Sequence, residues 1–300
     1  MKKTLAMMTA AMMVAGALAG CGSSSSTPAA TTAAATEAAT TAAATEAATD
    51  ATTTEAGDTA AAAEGTVKTP SGKFTVGFDQ EFPPMGFVGD DGQFTGFDLD
   101  LAKEVASRLG LEFVPQPINW DAKDMELDSG NIDCIWNGFT MQGREDDYTW
   151  VGPYMANNQV FVVTADSDIA SKADLAGKAV EVQKDSSGLA ALQGEAELSA
   201  SFGSMTEVAD YNTALMDLES GACDAVCMDS IVAGYQIKSS GKDMKILDDT
   251  LSAEEYGIGF KKGEDERAKA VQDTLMEMKD DGTVAKISND WFGSDVFTLK

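Results

Sequence analysis

The sequence has no histidine, only 4 cysteines and only 7 prolines in 300 residues. Without histidine there can be no Ser-His or Cys-His nucleophile pair, and no histidine-containing zinc site. Basic residues are also scarce: 21 Lys and Arg stand against 49 Asp and Glu, a net charge of −28. Nucleic-acid binding needs basic patches, so this balance argues against it. The acidic excess names no partner by itself, since such a surface also serves solubility. What remains is ordinary for a soluble protein, 44% hydrophobic and 23% charged residues, in a length that allows one or two domains with a sizeable core.

The N-terminus reads as an export signal. Met1-Lys2-Lys3 is a basic start, and the apolar run Leu5–Ala19 is too short for a membrane-spanning helix. It ends in Leu18-Ala19-Gly20-Cys21, which resembles the bacterial lipobox. That resemblance implies removal of residues 1–20 and a lipid on Cys21. Residues 22–65 contain only Gly, Ser, Thr, Pro, Ala, Glu and Asp, and TAAATEAAT occurs twice in succession. Nothing there can anchor a core, so residues 21–66 are expected to be a disordered tether, with O-glycosylation compatible with that reading.

The folded part is expected from residue 67 onward. Lys73–Phe78 alternates as a strand does, and the loop after it carries Pro83-Pro84. Leu101, Val105 and Leu109 make one helical face, closed by Gly110. Leu111–Val114 and Ala179–Val182 read as strands, Tyr211–Glu219 as a helix, and Ala225–Met228 as a strand ending at Asp229. A C-terminal helix carries Val271, Leu275 and Met278 on one face and stops at Asp281-Gly282, with Trp291-Phe292 expected in the core.

One pattern recurs. Leu127, Ser129, Gly130 and Asp133 reappear as Leu218, Ser220, Gly221 and Asp224, each displaced by the same 91 positions. In both copies a short apolar stretch follows the aspartate and ends in polar residues, Asn137 in one and Asp229 in the other. The pattern suggests two similar α/β lobes, each presenting a polar loop at the carboxyl end of a strand. Two unrelated helix–turn–strand junctions with a shared Ser-Gly stop are the alternative. Apart from Cys21, the cysteines Cys134, Cys223 and Cys227 are odd in number; buried free thiols are the favoured reading, and their spacing supports no metal site.

The segments FTVGFDQEFPPMGF, GQFTGFDLDLAKEVASRLG, LDSGNIDCIWNGFTMQGR, ADLAGKAVEVQKDSS, LESGACDAVCMDS, EYGIGFKKG and DGTVAKISNDWFG spread over Phe74–Gly293. Together and in this order they resemble the solute-binding proteins of polar amino acid ABC importers, bacterial family 3. The resemblance implies a type II periplasmic-binding fold: two Rossmann-like α/β lobes joined by a two-crossing hinge, here near Ala156–Phe161 and Ala253–Gly257. It divides the chain into lobe 1 (67–157 and 256–300) and lobe 2 (158–255). It implies a monomer that needs no cofactor and catalyses nothing, works with permease subunits, and touches the membrane only through its lipid.

A free amino acid carries a carboxylate and an ammonium, so its site needs a fixed cation, several donors and an anion. Arg144 has the planar fork that suits a carboxylate. Ser186 and Ser187 lie at a strand–turn–helix junction that offers free N–H groups; plain N-capping by Ser187 is the alternative there. The resemblance puts Arg144 and Ser187 on the α-carboxylate, Asp229 on the α-ammonium and Thr140 between them. Asp79, Phe82, Trp120 and Trp136 are expected around the ligand side chain, with Asn137 and Gly138 beside them. Taken singly, Arg144 reads as a surface ion pair with the following acidic run, Asp229 as a helix N-cap, and the aromatic residues as core. Two departures stand out: Asp185 occupies a position where the family has Gly, adding a carboxylate near the anion site, and the Thr140–Arg144 loop is one residue short. A dehydratase of the cyclohexadienyl kind and a surface receptor or adhesin on the same fold are the other classes that fit.

Overall fold

The computed structural model of the chain describes residues 71–300. The expected signal segment, Cys21 and the tether lie outside the described residues. The first elements are β1 (Lys73–Phe78), β2 (Glu81–Phe82), β3 (Gly86–Val88), β4 (Phe94–Thr95), α1 (Phe97–Arg108), β5 (Glu112–Pro117), α2 (Lys123–Ser129) and β6 (Cys134–Thr140). Next come the long strand β7 (Tyr148–Thr164), β8 (Ala179–Gln183), α3 (Ser187–Gly194), α4 (Ala196–Ser201), β9 (Ser204–Val208), α5 (Tyr211–Ser220), β10 (Ala225–Asp229) and α6 (Ser230–Ser240). A second long strand, β11 (Met244–Lys261), leads to α7 (Asp265–Asp280) and α8 (Thr283–Phe292).

Eight strands run in the order β5-β1-β6-β11-β7-β10-β8-β9, while β2-β3-β4 form a small separate sheet. The order is symmetric about its centre. Each end contributes three parallel strands, β5-β1-β6 on one side and β9-β8-β10 on the other. Between them the long strands β7 and β11 pair antiparallel and serve both halves. This is the two-lobed α/β fold with two crossings. At the crossing Ala156 pairs with Glu255, Asn157 with Glu254 and Asn158 with Ala253, inside both expected hinge stretches. The register slips on either side, between Thr250 and Ser252 and between Tyr256 and Ile258. Such bulges bend and twist a strand pair where it changes lobe.

The internal repeat is structural. Helices α2 and α5 both end at a left-handed glycine, Gly130 at φ 77° and Gly221 at φ 78°, a conformation free of penalty only without a Cβ. The aspartate that follows then does the same work in each lobe: the Asp133 carboxylate accepts from Thr75 N at 2.7 Å, and that of Asp224 from Ala179 N at 2.8 Å. Each ties the start of the third strand of its lobe to the first. This shared geometry rules out the reading of two unrelated junctions.

Leu101 and Val105 of α1 are fully buried with Phe74, Val76 and Phe78 of β1, as are Val271, Leu275 and Met278 of α7. Phe161, Val163, Val180, Val182 and Leu192 form a second cluster. Phe292 packs edge-on against Phe97 at 5.1 Å, and the Trp291 indole donates to Asp100 at 2.9 Å. Cys134, Cys223 and Cys227 are buried free thiols.

Candidate ligand-binding site

The carboxyl ends of β6, β8 and β10 and the loop after β1 meet beside the hinge. They enclose a cavity of about 10 Å³ lined by Phe82, Trp120, Gly138, Thr140, Arg144, Gln183, Ser186, Ser187 and Asp229. Eight of those nine are residues the sequence points to. Several contacts hold the lobes together around it. Thr140 Oγ1 lies 3.2 Å from Ser187 Oγ, Lys184 Nζ 2.6 Å from Asp121, and Lys123 Nζ contacts the Asp185 carboxylate.

The cationic side is Arg144. Its Nη1 donates to Thr140 O at 3.2 Å and its Nη2 to Asp185 O at 3.4 Å, and the guanidinium lies 5.2 Å from the Phe139 ring centre. Among the described residues it makes no ion pair, so the pairing with Glu145–Asp147 suggested by the sequence taken singly is not formed. The N-cap of α3 is Ser186, whose Oγ accepts from Leu189 N at 3.1 Å. Ser187 is thereby the first helical residue and not the cap, which leaves its hydroxyl facing the cavity.

The anionic side is Asp229, 3% exposed. Its Oδ1 accepts from Asn157 Nδ2 at 2.6 Å and Tyr256 OH at 2.7 Å, and its Oδ2 from Tyr211 OH at 3.3 Å. Among the described residues no cation pairs with it. Burial first, and then the negative charge of Glu254, push its carboxyl well above the usual carboxylate range.

Asp79 stands one layer away. It borders a larger cleft of about 1020 Å³ between the lobes. Its oxygens accept from Gln183 Nε2 at 2.6 Å and Glu81 N at 2.9 Å, and burial pushes its carboxyl up to about 6. Asn137 supports this loop from below, accepting from Asp79 N at 3.0 Å, and does not line the cavity.

Trp136 corrects the expectation placed on it. It is fully buried, stacks edge-on against Tyr154 at 6.3 Å and belongs to the core. The reason lies two residues on, where Gly138 takes φ +57° and the pairing of β6 with β11 shifts register. The pleat is broken there, so Trp136 and Thr140 do not share a direction as strict alternation would require. The Asp185 carboxylate, which threatened to crowd an anion, is instead drawn off to Lys123.

The sequence reading missed Gln183, and it missed the polar residues of the hinge, Asn157, Gln159 and Glu254. A signal for Asn157 and Gln159 was present, because Asn157-Asn158-Gln159 interrupts an otherwise apolar strand; Glu254 had none. Asp98 was missed as well. Fully buried, it accepts from Gly138 N at 2.7 Å and Tyr154 OH at 2.8 Å and so fixes the cavity floor.

Residues 74–294 match the model of the bacterial extracellular solute-binding proteins, family 3. The chain is 32% identical over 231 residues to the L-cystine-binding protein TcyJ of Escherichia coli (strain K12), covering 75% of this chain and 84% of that protein. It is also 32% identical over 229 residues to the L-cystine-binding protein TcyA of Bacillus subtilis (strain 168), covering 75% and 83%. An ABC uptake transporter substrate-binding protein from Streptococcus pneumoniae, solved with bound histidine, superposes with a TM-score of 0.74 at 34% identity over 76% of this chain and 96% of that one. The chain belongs to the bacterial extracellular solute-binding proteins of family 3.

Proposed function

We propose that the protein captures a free amino acid between its lobes and delivers it to the permease of an ABC importer, held to the outer face of the cell membrane by a lipid on Cys21. Arg144, with Thr140, Ser187 and the first turn of α3, takes the α-carboxylate. Asp229 takes the α-ammonium, and Phe82 and Trp120 flank the side chain. The observation that carries this reading is a buried anion on one lobe and a guanidinium on the other, both lining one cavity and neither ion-paired among the described residues. A zwitterion supplies both missing partners. The bound histidine of the pneumococcal structure and the cystine specificity named for the two relatives support the same ligand class.

In this reading the protein catalyses nothing, needs no cofactor and works as a monomer that binds and releases. An amino acid is far larger than the cavity described, so the lobes part to admit it, hinging on the crossings of β7 and β11. We place the lobe boundaries at residues 157 and 255, supported by those crossings. A thermal-shift screen of the amino acids with cystine and ornithine tests the reading, since a ligand that binds only the folded protein raises its melting temperature. Stabilisation by one or a few amino acids is expected; indifference to all of them would end the proposal.

A further inference from the structure

The proposed function leaves a buried acid of the hinge without a role. Glu254 sits on β11 within the hinge and is 5% exposed. Its Oε1 accepts from Asn157 Nδ2 at 2.6 Å, from Gln159 Nε2 at 2.8 Å and from Ser187 Oγ at 3.4 Å. The same Asn157 nitrogen donates to Asp229 at 2.6 Å, so a single amide bridges two carboxylates.

Among the described residues the only cation lining the shared cavity is Arg144, and it forms an ion pair with neither carboxylate. Asp229 and Cys227 come from β10, Tyr211 from α5, Glu254 and Tyr256 from β11, Asn157 and Gln159 from β7, and Ser187 from α3. Among these groups none is a cation, and neither carboxylate has an ion-pair partner among the described residues. Two adjacent carboxylates out of water repel, and each is penalised for its own charge. Such a pair relieves both costs by holding one proton between them, and the proton belongs to the pair and not to one residue. All three donors to Glu254 converge on Oε1, and the Asn157 amide among them also donates to Asp229, so the Glu254 charge is held against Asp229. The upward shift of Asp229 has the same origin.

We propose that Glu254 is a positioning residue for ligand capture: bridged to Asp229 through Asn157, it makes the pair hold a proton that the ligand ammonium displaces. The inference rests on the amino acid reading, which puts that ammonium on Asp229. When the ammonium arrives, the carboxylic O–H bond breaks and the proton leaves to solvent. The site then holds two carboxylates against one ligand cation. Binding therefore releases a proton, and affinity rises with pH until the pair loses its proton unaided.

Calorimetry on the protein tests this with L-cystine, L-arginine, L-lysine and L-glutamine as probes. Titrations run at about pH 6.5, where α-ammonium groups stay protonated, in two buffers of different ionisation enthalpy. For each probe that binds, the wild type is expected to release roughly one proton per ligand, seen as a buffer-dependent enthalpy. In Glu254→Gln, whose carboxamide oxygen can still accept from Asn157 and Gln159, that release should vanish. The rise of affinity with pH, up to about tenfold per unit in the wild type, should flatten as well. Binding without proton release in the wild type overturns the inference whether or not the variant folds. An unchanged release in Glu254→Gln overturns it too, and both results leave the amino acid reading standing. Where none of the four binds, the titrations use whichever amino acid the thermal-shift screen identifies; if it identifies none, the amino acid reading falls and this inference falls with it.

Discussion

Lys123 reaches across the cleft to Asp185. The lysine, on α2, is 2% exposed, and its Nζ contacts both the carboxylate and the carbonyl of Asp185, which sits on the loop that begins α3. Asp185 adopts φ +55°, a left-handed conformation uncommon outside glycine, which turns its side chain toward the other lobe. The pair thus joins the lobes without lining the cavity.

Removing this latch should weaken every ligand by a similar factor and leave their ranking unchanged. The two ends are not equivalent. Lys123→Met leaves a half-exposed aspartate that water can solvate, and should cost about 1 kcal/mol, roughly fivefold in affinity. Asp185→Gly strands a buried ammonium in the closed form and should cost more. Dissociation rates from stopped-flow measurements provide the check, with both variants faster than wild type and Asp185→Gly the faster of the two.

Arg144 is the only cation lining the cavity among the described residues. Every amino acid has an α-carboxylate, so Arg144→Ala should weaken all of them alike. Truncating one partner of a buried charge pair costs about 2–5 kcal/mol, and about 1.4 kcal/mol is tenfold, so a loss of roughly 30-fold or more is expected. Arg144→Lys should recover part of it, because a point charge cannot replace the fork. Calorimetry that found Arg144→Ala within threefold of wild type would remove the arginine from the site.

Gly138 is predicted to tolerate no side chain. At φ +57° a Cβ would stand 2.9 Å from the Phe82 ring and 3.1 Å from that of Tyr256. Alanine pays about 1–2 kcal/mol for the left-handed backbone and must also displace one of two rings that shape the site. Gly138→Ala should therefore both lower the melting temperature and weaken ligand binding. Intact affinity in this variant would show that Phe82 can move freely and does not shape the pocket.

How much of this was legible in the sequence depended on how local its cause is. The repeat around Gly130 and Gly221 could be read because a helix stop and a strand-tying aspartate are written within seven residues. Lobe architecture followed from it, and the two crossings, which fall on the long strands β7 and β11, came from the family resemblance. Trp136 was misplaced because the family resemblance was carried onto it over the single-residue reading as core, and two residues on, at Gly138, the backbone turns left-handed. The alternative that Ser187 caps α3 failed because capping depends on one residue of register, and Ser186 is the cap. The interactions of Lys123, Asn157 and Glu254 could not be read at all. Their partners lie 62, 97 and 95 positions away for the contacts to Asp185, Glu254 and Gln159, and only the closed fold brings them together.

The last prediction concerns pH and Asp98. Burial pushes this carboxyl up to about 7, although Gly138 N and Tyr154 OH both donate to it. In the unfolded chain it titrates near the ordinary aspartate value. Between about pH 4 and pH 7 the folded protein therefore holds a proton that the unfolded chain has lost, and folding stability falls as pH rises through that window. Asp79, pushed up to about 6 by burial, acts in the same direction. Asp281, held down near 2 chiefly by its hydrogen bond from Thr283, acts in the opposite direction, but only below about pH 4, outside this window. Each unit of pH is worth about 1.4 kcal/mol per proton, so Asp98 alone should account for a few kcal/mol between pH 5 and pH 8. Asp98→Asn stays neutral throughout and its Oδ1 can still accept from Gly138 N. It should be more stable than wild type at about pH 8 and close to it at about pH 5. Denaturant titrations of both proteins at the two pH values measure this directly. A wild type and variant that lose stability in parallel would show that Asp98 is ionised in the folded protein, and that the floor beneath Gly138 carries a buried charge.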